Sequence, residues 1–124
     1  MGIMTTNKIT VFEFVTMFNN FYVNALHVIE KSYNDECVPR CYIDKVYDII
    51  NEYKNEVERT LEARVLSVEK ASNMLYNKLE VIVKIAENCA ENYNFFGDES
   101  SYEAYKFLNS IIDCYNEMCE EING

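Results

Sequence analysis

The sequence contains few of the residues that interrupt helices or carry common chemistry. Its 124 residues include three glycines, one proline, one histidine and no tryptophan. So few turn residues disfavour an all-β fold and exclude collagen-like or linker-like chains. Three isolated glycines cannot form a glycine-rich loop that holds a phosphate group. No apolar run approaches the roughly 18 residues of a membrane span, so we expect no transmembrane segment.

Basic side chains are also scarce. The chain has 11 basic and 21 acidic residues, which gives a net charge of −10. This charge argues against direct binding to nucleic acid, whose backbone is itself negative. Hydrophobic residues make up 49% of the chain, which is enough for a packed core. We therefore expect a single helical domain over residues 1–124.

The start of the chain and the cysteines predict where the protein is located. The first eight residues lack the apolar segment of a signal peptide, and we interpret residues 1–8 as a disordered or vector-derived start. The five cysteines are an odd number, which favours reduced thiols over disulfides. We therefore expect a cytoplasmic protein.

Apolar residues recur every three or four positions along most of the chain, which is typical of amphipathic helices. The first helix is expected over residues 11–33. Thr10 and Glu13 have the spacing of a capping box, and Ile9 and Phe14 that of a hydrophobic staple. Pro39 marks the break before the next helix because proline cannot continue a helix interior.

Residues 41–93 contain neither glycine nor proline. A single helix of that length would extend about 80 Å at 1.5 Å per residue, far beyond a compact domain of this size. We therefore expect the region to fold back once, as helices over 41–66 and 70–93. The weakest helical stretch is 67–73, and a break at 58–62 is the alternative.

The last helix is expected over residues 100–122. Ser100 and Glu103 have the spacing of a second capping box. The preceding polar loop contains Phe95 and Phe96, which we expect to cover the end of the bundle. Four helices of similar length with short connections predict an all-α fold, an antiparallel four-helix bundle in up-down-up-down order.

No pattern in the sequence identifies an active site. We interpret His27 as a structural or surface residue, and Cys89 as a small core residue. Some all-α nucleotide pyrophosphatases hold Mg²⁺ with closely spaced carboxylates, and the second predicted helix has similar spacings. The acidic residues concerned are Asp48, Glu52, Glu56, Glu58 and Glu62. Interleaved lysines and arginines indicate a solvated surface instead, so we expect no catalytic residues, no metal, no cofactor and no enzyme activity.

The acidity is concentrated at the end of the chain. Residues 97–124 include seven acidic residues and one basic residue, Lys106. A helix C-terminus disfavours anions by a few tenths to about 1 kcal/mol each, so stability does not explain them. A basic partner would explain these carboxylates, because it would supply the opposite charge. The residues expected to bind it are Asp98, Glu99, Tyr102, Glu103, Asp113, Glu117, Glu120 and Glu121.

The predicted function is therefore a non-enzymatic protein-binding module. It would be an acidic inhibitor or adaptor, of the kind that phages and mobile elements direct against host defence. Its partner would be a basic protein surface, such as the groove of a nucleic-acid-binding enzyme, with no direct contact to nucleic acid or membrane. Two alternatives remain: a structural homo-oligomer in which residues 41–93 form one long helix, and a magnesium-dependent nucleotide hydrolase.

Overall fold

The first helix, α1, spans Val11–Tyr33, the range that the sequence predicts. In this computed structural model, which describes residues 9–62 and 67–123, the Glu13 backbone N–H donates to Thr10 Oγ1 at 3.1 Å. The Thr10 hydroxyl donates in turn to the Glu13 carboxylate at 3.0 Å. Thr10 therefore caps α1 as predicted, but the Glu13 carboxylate accepts the Thr10 hydroxyl and not the backbone N–H that a full capping box requires. The expected disordered or vector-derived start, residues 1–8, lies outside the described residues.

Two helices, not one, occupy the region without glycine or proline. Helix α2 spans Arg40–Glu62 and helix α3 spans Val68–Phe96. They run antiparallel, since the Tyr53 hydroxyl donates to the Ala71 carbonyl at 2.7 Å and Lys78 pairs with Glu52 at 3.3 Å. One long helix over residues 41–93 is therefore wrong. The predicted last turn of α2, residues 63–66, lies outside the described residues.

The ends of α3 differ from the prediction at both termini. Ser67 caps the helix by accepting the Lys70 N–H at 3.2 Å, so α3 begins two residues before the predicted start at 70. At the other end the helix continues three residues beyond the predicted end at 93. Gly97 ends it in the left-handed conformation, with φ 66°, and donates its N–H to the Tyr93 carbonyl at 2.8 Å. Glycine adopts this conformation without a Cβ penalty.

Helix α4 spans Glu99–Asn123, and Asp98 caps it in place of the predicted Ser100. The Asp98 carboxylate accepts the Ser100 N–H at 3.1 Å and the Ser101 hydroxyl at 2.8 Å. Aspartate is a preferred N-cap because its side chain accepts from N–H groups that have no partner within the helix. The capping box predicted for Ser100 and Glu103 is therefore wrong.

The four helices form the predicted antiparallel bundle. Helix α4 packs most extensively on α3 and then on α1, while α2 packs against α1 and α3. The core between them is apolar, and its largest fully buried residues include Phe14, Phe18, Tyr53 and Tyr115. The edge of the Phe18 ring meets Tyr53 with ring centroids 5.0 Å apart, a favourable aromatic geometry. The all-α fold class is thus confirmed.

Across the described helices, none is long and apolar enough to cross a membrane. Cys89 is buried, as the sequence predicts. The Tyr42 hydroxyl is hydrogen-bonded to its thiol, and this bond together with burial raises the pKa of Tyr42. This contact ties the start of α2 to α3.

Candidate functional site

The outward side of α4 carries most of the candidate residues. At 100° per residue, six carboxylates fall within an arc of about 100°, opposite the buried stripe of the helix. We call this set the acidic face: Glu99, Glu103, Asp113, Glu117, Glu120 and Glu121. All except Glu103, which is partly buried, are exposed. The structure therefore brings six of the eight predicted residues onto one surface.

One basic residue lies on the same helix as the acidic face. Lys106 is the single basic residue of α4, and it pairs with Glu103 at 3.0 Å. Its hydrogen bond with Glu103 raises the pKa of the Lys106 ammonium group. The same Nζ atom lies 4.9 Å from the centroid of the Tyr102 ring, within range of a cation–π interaction. Lys106 is thus already engaged on two sides.

The other five carboxylates of the acidic face differ from Glu103. No ion pair among the described residues involves Glu99, Asp113, Glu117, Glu120 or Glu121. Asp113, Glu117 and Glu121 follow at intervals of four residues, where like charges on a helix repel each other. Among the described residues, this part of α4 therefore presents negative charge that is not paired with a cation.

The two remaining predicted residues have structural contacts. Asp98 uses both carboxylate oxygens to cap α4, although its charge still lies at the start of the acidic face. The Tyr102 ring stacks on Tyr93 of α3, with centroids 4.7 Å apart and an interplanar angle of 28°. Tyr102 thus joins the two helices and leaves part of its ring at the surface.

Sequence reasoning missed the exposure of Phe95 and Phe96. They form the last turn of α3, and their side chains are 79% and 81% exposed, so the expectation that they cover the bundle end is wrong. The signal that places them was in the sequence: Gly97 followed by Asp98 is a helix end directly followed by a helix start.

A groove of about 420 Å³ lies between the end of α1 and the first half of α4. Charged residues of both signs line it, namely Lys31, Asp35, Glu103 and Lys106. Two of these charges already neutralise each other, since Lys106 pairs with Glu103 at 3.0 Å, so the charged groups do not converge on a free position. We therefore assign no ligand to the groove.

The residues considered for catalysis are not brought together. His27 is exposed on α1, and no hydrogen bond in the described part of the chain joins it to a thiol or a carboxylate. Burial raises the pKa of the Cys114 and Cys119 thiols, and the negative charge of Asp35 raises that of Cys37. A raised pKa keeps a thiol protonated and weakens it as a nucleophile.

The acidic residues of α2 also lie apart from one another or next to lysines. Glu58 pairs with Lys54 at 2.6 Å, and Glu52 pairs with Lys78 at 3.3 Å. Within residues 9–62 and 67–123, no three histidine, cysteine or acidic side chains are grouped closely enough to hold a metal ion. The side chain of Glu62 lies outside the described residues. The described carboxylates of α2 thus have the arrangement of a solvated, charge-balanced surface.

No known protein family, no curated protein and no solved structure gives a significant match to this chain. The function of the protein is therefore inferred from the chemistry of the acidic face.

Proposed function

We propose that this protein is a non-enzymatic binding module whose acidic face docks on a basic surface of another protein. One observation carries the proposal. Five exposed carboxylates share one face of α4, and no ion pair among the described residues involves them. A neighbouring protein that presents lysines and arginines would supply the missing counter-charge.

The position of these charges costs the isolated protein stability. Glu120 and Glu121 lie in the last turn of α4, where the partial negative charge of the helix C-terminus disfavours anions by about 0.3–1 kcal/mol each. Repulsion between carboxylates four residues apart adds a few tenths of a kcal/mol per pair. A basic partner would remove both penalties, and long-range attraction would speed the encounter.

The shape of the face favours a groove as its binding site. Glu99 and Glu121 are 22 residues apart on one helix, which corresponds to about 33 Å. One turn of duplex DNA is about 34 Å long. A negatively charged helix face of this length matches a basic groove that otherwise holds nucleic acid. An inhibitor or adaptor of a nucleic-acid-binding enzyme is therefore the form of the function that we favour.

The test uses the wild-type protein and a charge-reversed variant as bait. Both are immobilised and exposed to lysate of the organism that encodes the chain, and captured proteins are identified by mass spectrometry. The variant combines Glu117→Lys, Glu120→Lys and Glu121→Lys, all at exposed positions. We expect a protein with a basic groove to bind the wild type alone, and added salt to release it. Capture that survives both the reversal and high salt would disprove the proposal.

A further inference from the structure

Two adjacent phenylalanines project from the end of α3. Phe95 and Phe96 are 79% and 81% exposed, whereas most other phenylalanines in the described chain are buried. Exposed aromatic rings that sit side by side are unusual on a protein surface and typical of the centre of an interface. Phe12 is exposed to the same extent, at 79%, but lies alone at the opposite end of the bundle, at the start of α1.

The two phenylalanines are carried on a firmly held turn. Gly97 closes α3 through its 2.8 Å hydrogen bond to Tyr93, and Asp98 begins α4 through its two capping bonds. The stacked rings of Tyr93 and Tyr102 tie the two helices together directly beside this turn. A rigid aromatic anchor loses little conformational entropy on binding, which favours its use in recognition.

A notch adjoins the same turn. It measures about 190 Å³ and lies between α3 and α4, lined by Tyr93, Asn94, Tyr102 and Tyr105 together with Ala90. Tyrosine combines an apolar ring with a polar hydroxyl and is enriched at protein interfaces. We call Tyr93, Phe95, Phe96 and Tyr102 the aromatic end.

The charge around the aromatic end is negative. Residues 85–105 contain five acidic residues and no lysine, arginine or histidine. Lys106, the next residue, lies over the Tyr102 ring and is paired with Glu103. Two of these acidic residues, Asp98 and Glu99, directly follow the phenylalanines, and Glu99 is also the first residue of the acidic face. Arg40 opens α2 at this end of the bundle, but its guanidinium lies over the Tyr33 ring, 5.9 Å from the centroid. The aromatic end is therefore followed, three residues after Phe96, by the first residue of the acidic face.

We infer that the aromatic end is the apolar anchor of the docking surface, and that its partner is a protein with an apolar pocket bordered by lysines or arginines. The inference rests on the proposed function and deepens it, since it assigns the partner an apolar pocket as well as positive charge. A second copy of this chain would bring ten further negative charges to an already acidic surface. An anionic membrane would be repelled for the same reason.

The test measures, by fluorescence anisotropy, the binding of three helical peptides of about 25 residues, which at roughly 38 Å are long enough to extend from the aromatic end to Glu121. The first has a leucine face and a lysine face, the second has serines in place of the leucines, and the third has glutamates in place of the lysines. We expect the leucine–lysine peptide to bind the wild type about tenfold more tightly than the serine–lysine peptide, because it alone supplies both features. The double variant Phe95→Ser and Phe96→Ser should remove that advantage and leave the serine–lysine affinity unchanged.

The matched control is Phe12→Ser, which removes an equally exposed ring from the other end of the bundle. The inference is overturned if the leucine–lysine peptide does not bind, if its advantage survives the double variant, or if Phe12→Ser removes it equally. Equal binding of the leucine–glutamate peptide also overturns it. So does sedimentation that shows a dimer dispersed by the double variant, since the aromatic end would then join two copies.

The same measurements separate this inference from the proposed function. If both lysine peptides bind the triple variant of Glu117, Glu120 and Glu121 as well as they bind the wild type, the acidic face is not the docking surface and the proposed function fails. If charge reversal weakens the binding of both lysine peptides, but the leucine–lysine peptide binds the wild type no more tightly than the serine–lysine peptide, the proposed function stands and the aromatic anchor is wrong.

Discussion

Helices α2 and α4 lie diagonally across the bundle and both present carboxylates to solvent, but they differ in how those charges are balanced. On α2, Lys54 and Lys78 pair with Glu58 and Glu52. On α4, Lys106 pairs with Glu103, and no ion pair among the described residues involves the other five carboxylates of the acidic face. Asp48 and Glu56 of α2 are likewise in no ion pair among the described residues, but α2 carries four basic residues beside its six acidic ones, whereas α4 carries one beside six. A basic partner therefore gains more free energy by covering α4 than by covering α2. The α2 surface is therefore the internal control for α4.

The largest expected effect is on partner binding. Reversing Glu117, Glu120 and Glu121 to lysine should weaken binding of the captured partner roughly 100-fold, because it replaces attraction with repulsion across the interface. The matched reversal on α2, Asp48→Lys with Glu52→Lys and Glu58→Lys, should change it by less than about threefold. Titration calorimetry measures both, and circular dichroism checks that helicity is kept. Equal losses would show that net charge matters and the acidic face does not.

The next effect is the dependence of binding on salt. Raising the ionic strength from about 0.05 M to about 0.3 M shortens the Debye length and should weaken partner binding roughly tenfold. The α2 reversal should retain this salt dependence, whereas the α4 reversal should lose it. A wild-type affinity that is constant over this range would contradict an electrostatic interface.

Buried tyrosines give a smaller contrast between the same two helices. The Tyr53 hydroxyl on α2 donates to the Ala71 carbonyl at 2.7 Å, so Tyr53→Phe should lower the free energy of unfolding by about 1 kcal/mol. The buried Tyr115 hydroxyl on α4 interacts with the Cys119 thiol. Sulfur is a weak hydrogen-bond partner, so Tyr115→Phe should change the free energy of unfolding by less than about 0.5 kcal/mol. Urea denaturation distinguishes the two. A larger loss for Tyr115→Phe would reverse this order.

The smallest effect is on the stability of α4 itself. Glu120→Lys and Glu121→Lys should each raise the free energy of unfolding by about 0.3–1 kcal/mol, because cations are favoured near a helix C-terminus. Asp48→Lys lies in the middle of α2, far from a helix end, so its interaction with the helix dipole should leave the free energy of unfolding almost unchanged. The gain, measured by thermal denaturation, should shrink in high salt. A loss of stability would mean that the glutamates have favourable contacts within the fold.

Most of the fold was accessible from local sequence patterns. The Thr10 cap fixes the start of α1, and this cap forms as predicted. The ends of α3 were harder to place because Asn92 and Asn94 have low helix propensity. The helix continues past them because the Tyr93–Tyr102 stack and the Gly97 cap stabilise the last turn. The first of these contacts is tertiary and leaves no local pattern.

The candidate site was only partly accessible from sequence. The excess of carboxylates in residues 97–124 can be counted directly, and helical spacing places most of them on one face. Their lack of ion pairs could not be counted, because it depends on whether lysines of neighbouring helices reach them. Lys78 of α3 shows the difference, since it lies 26 residues from Glu52 in the chain and still pairs with it.

The sequence by itself determined that the protein is an all-α bundle and that its negative charge lies mainly in the last helix, since both follow from residue order and helical periodicity. Tertiary structure decided which of those charges stay uncompensated and that Phe95 and Phe96 point into solvent. The physical reason is that ion pairing and burial depend on distances between helices. Those distances are set by how the four helices pack, with α4 against α3 and α1 and α2 on the far side.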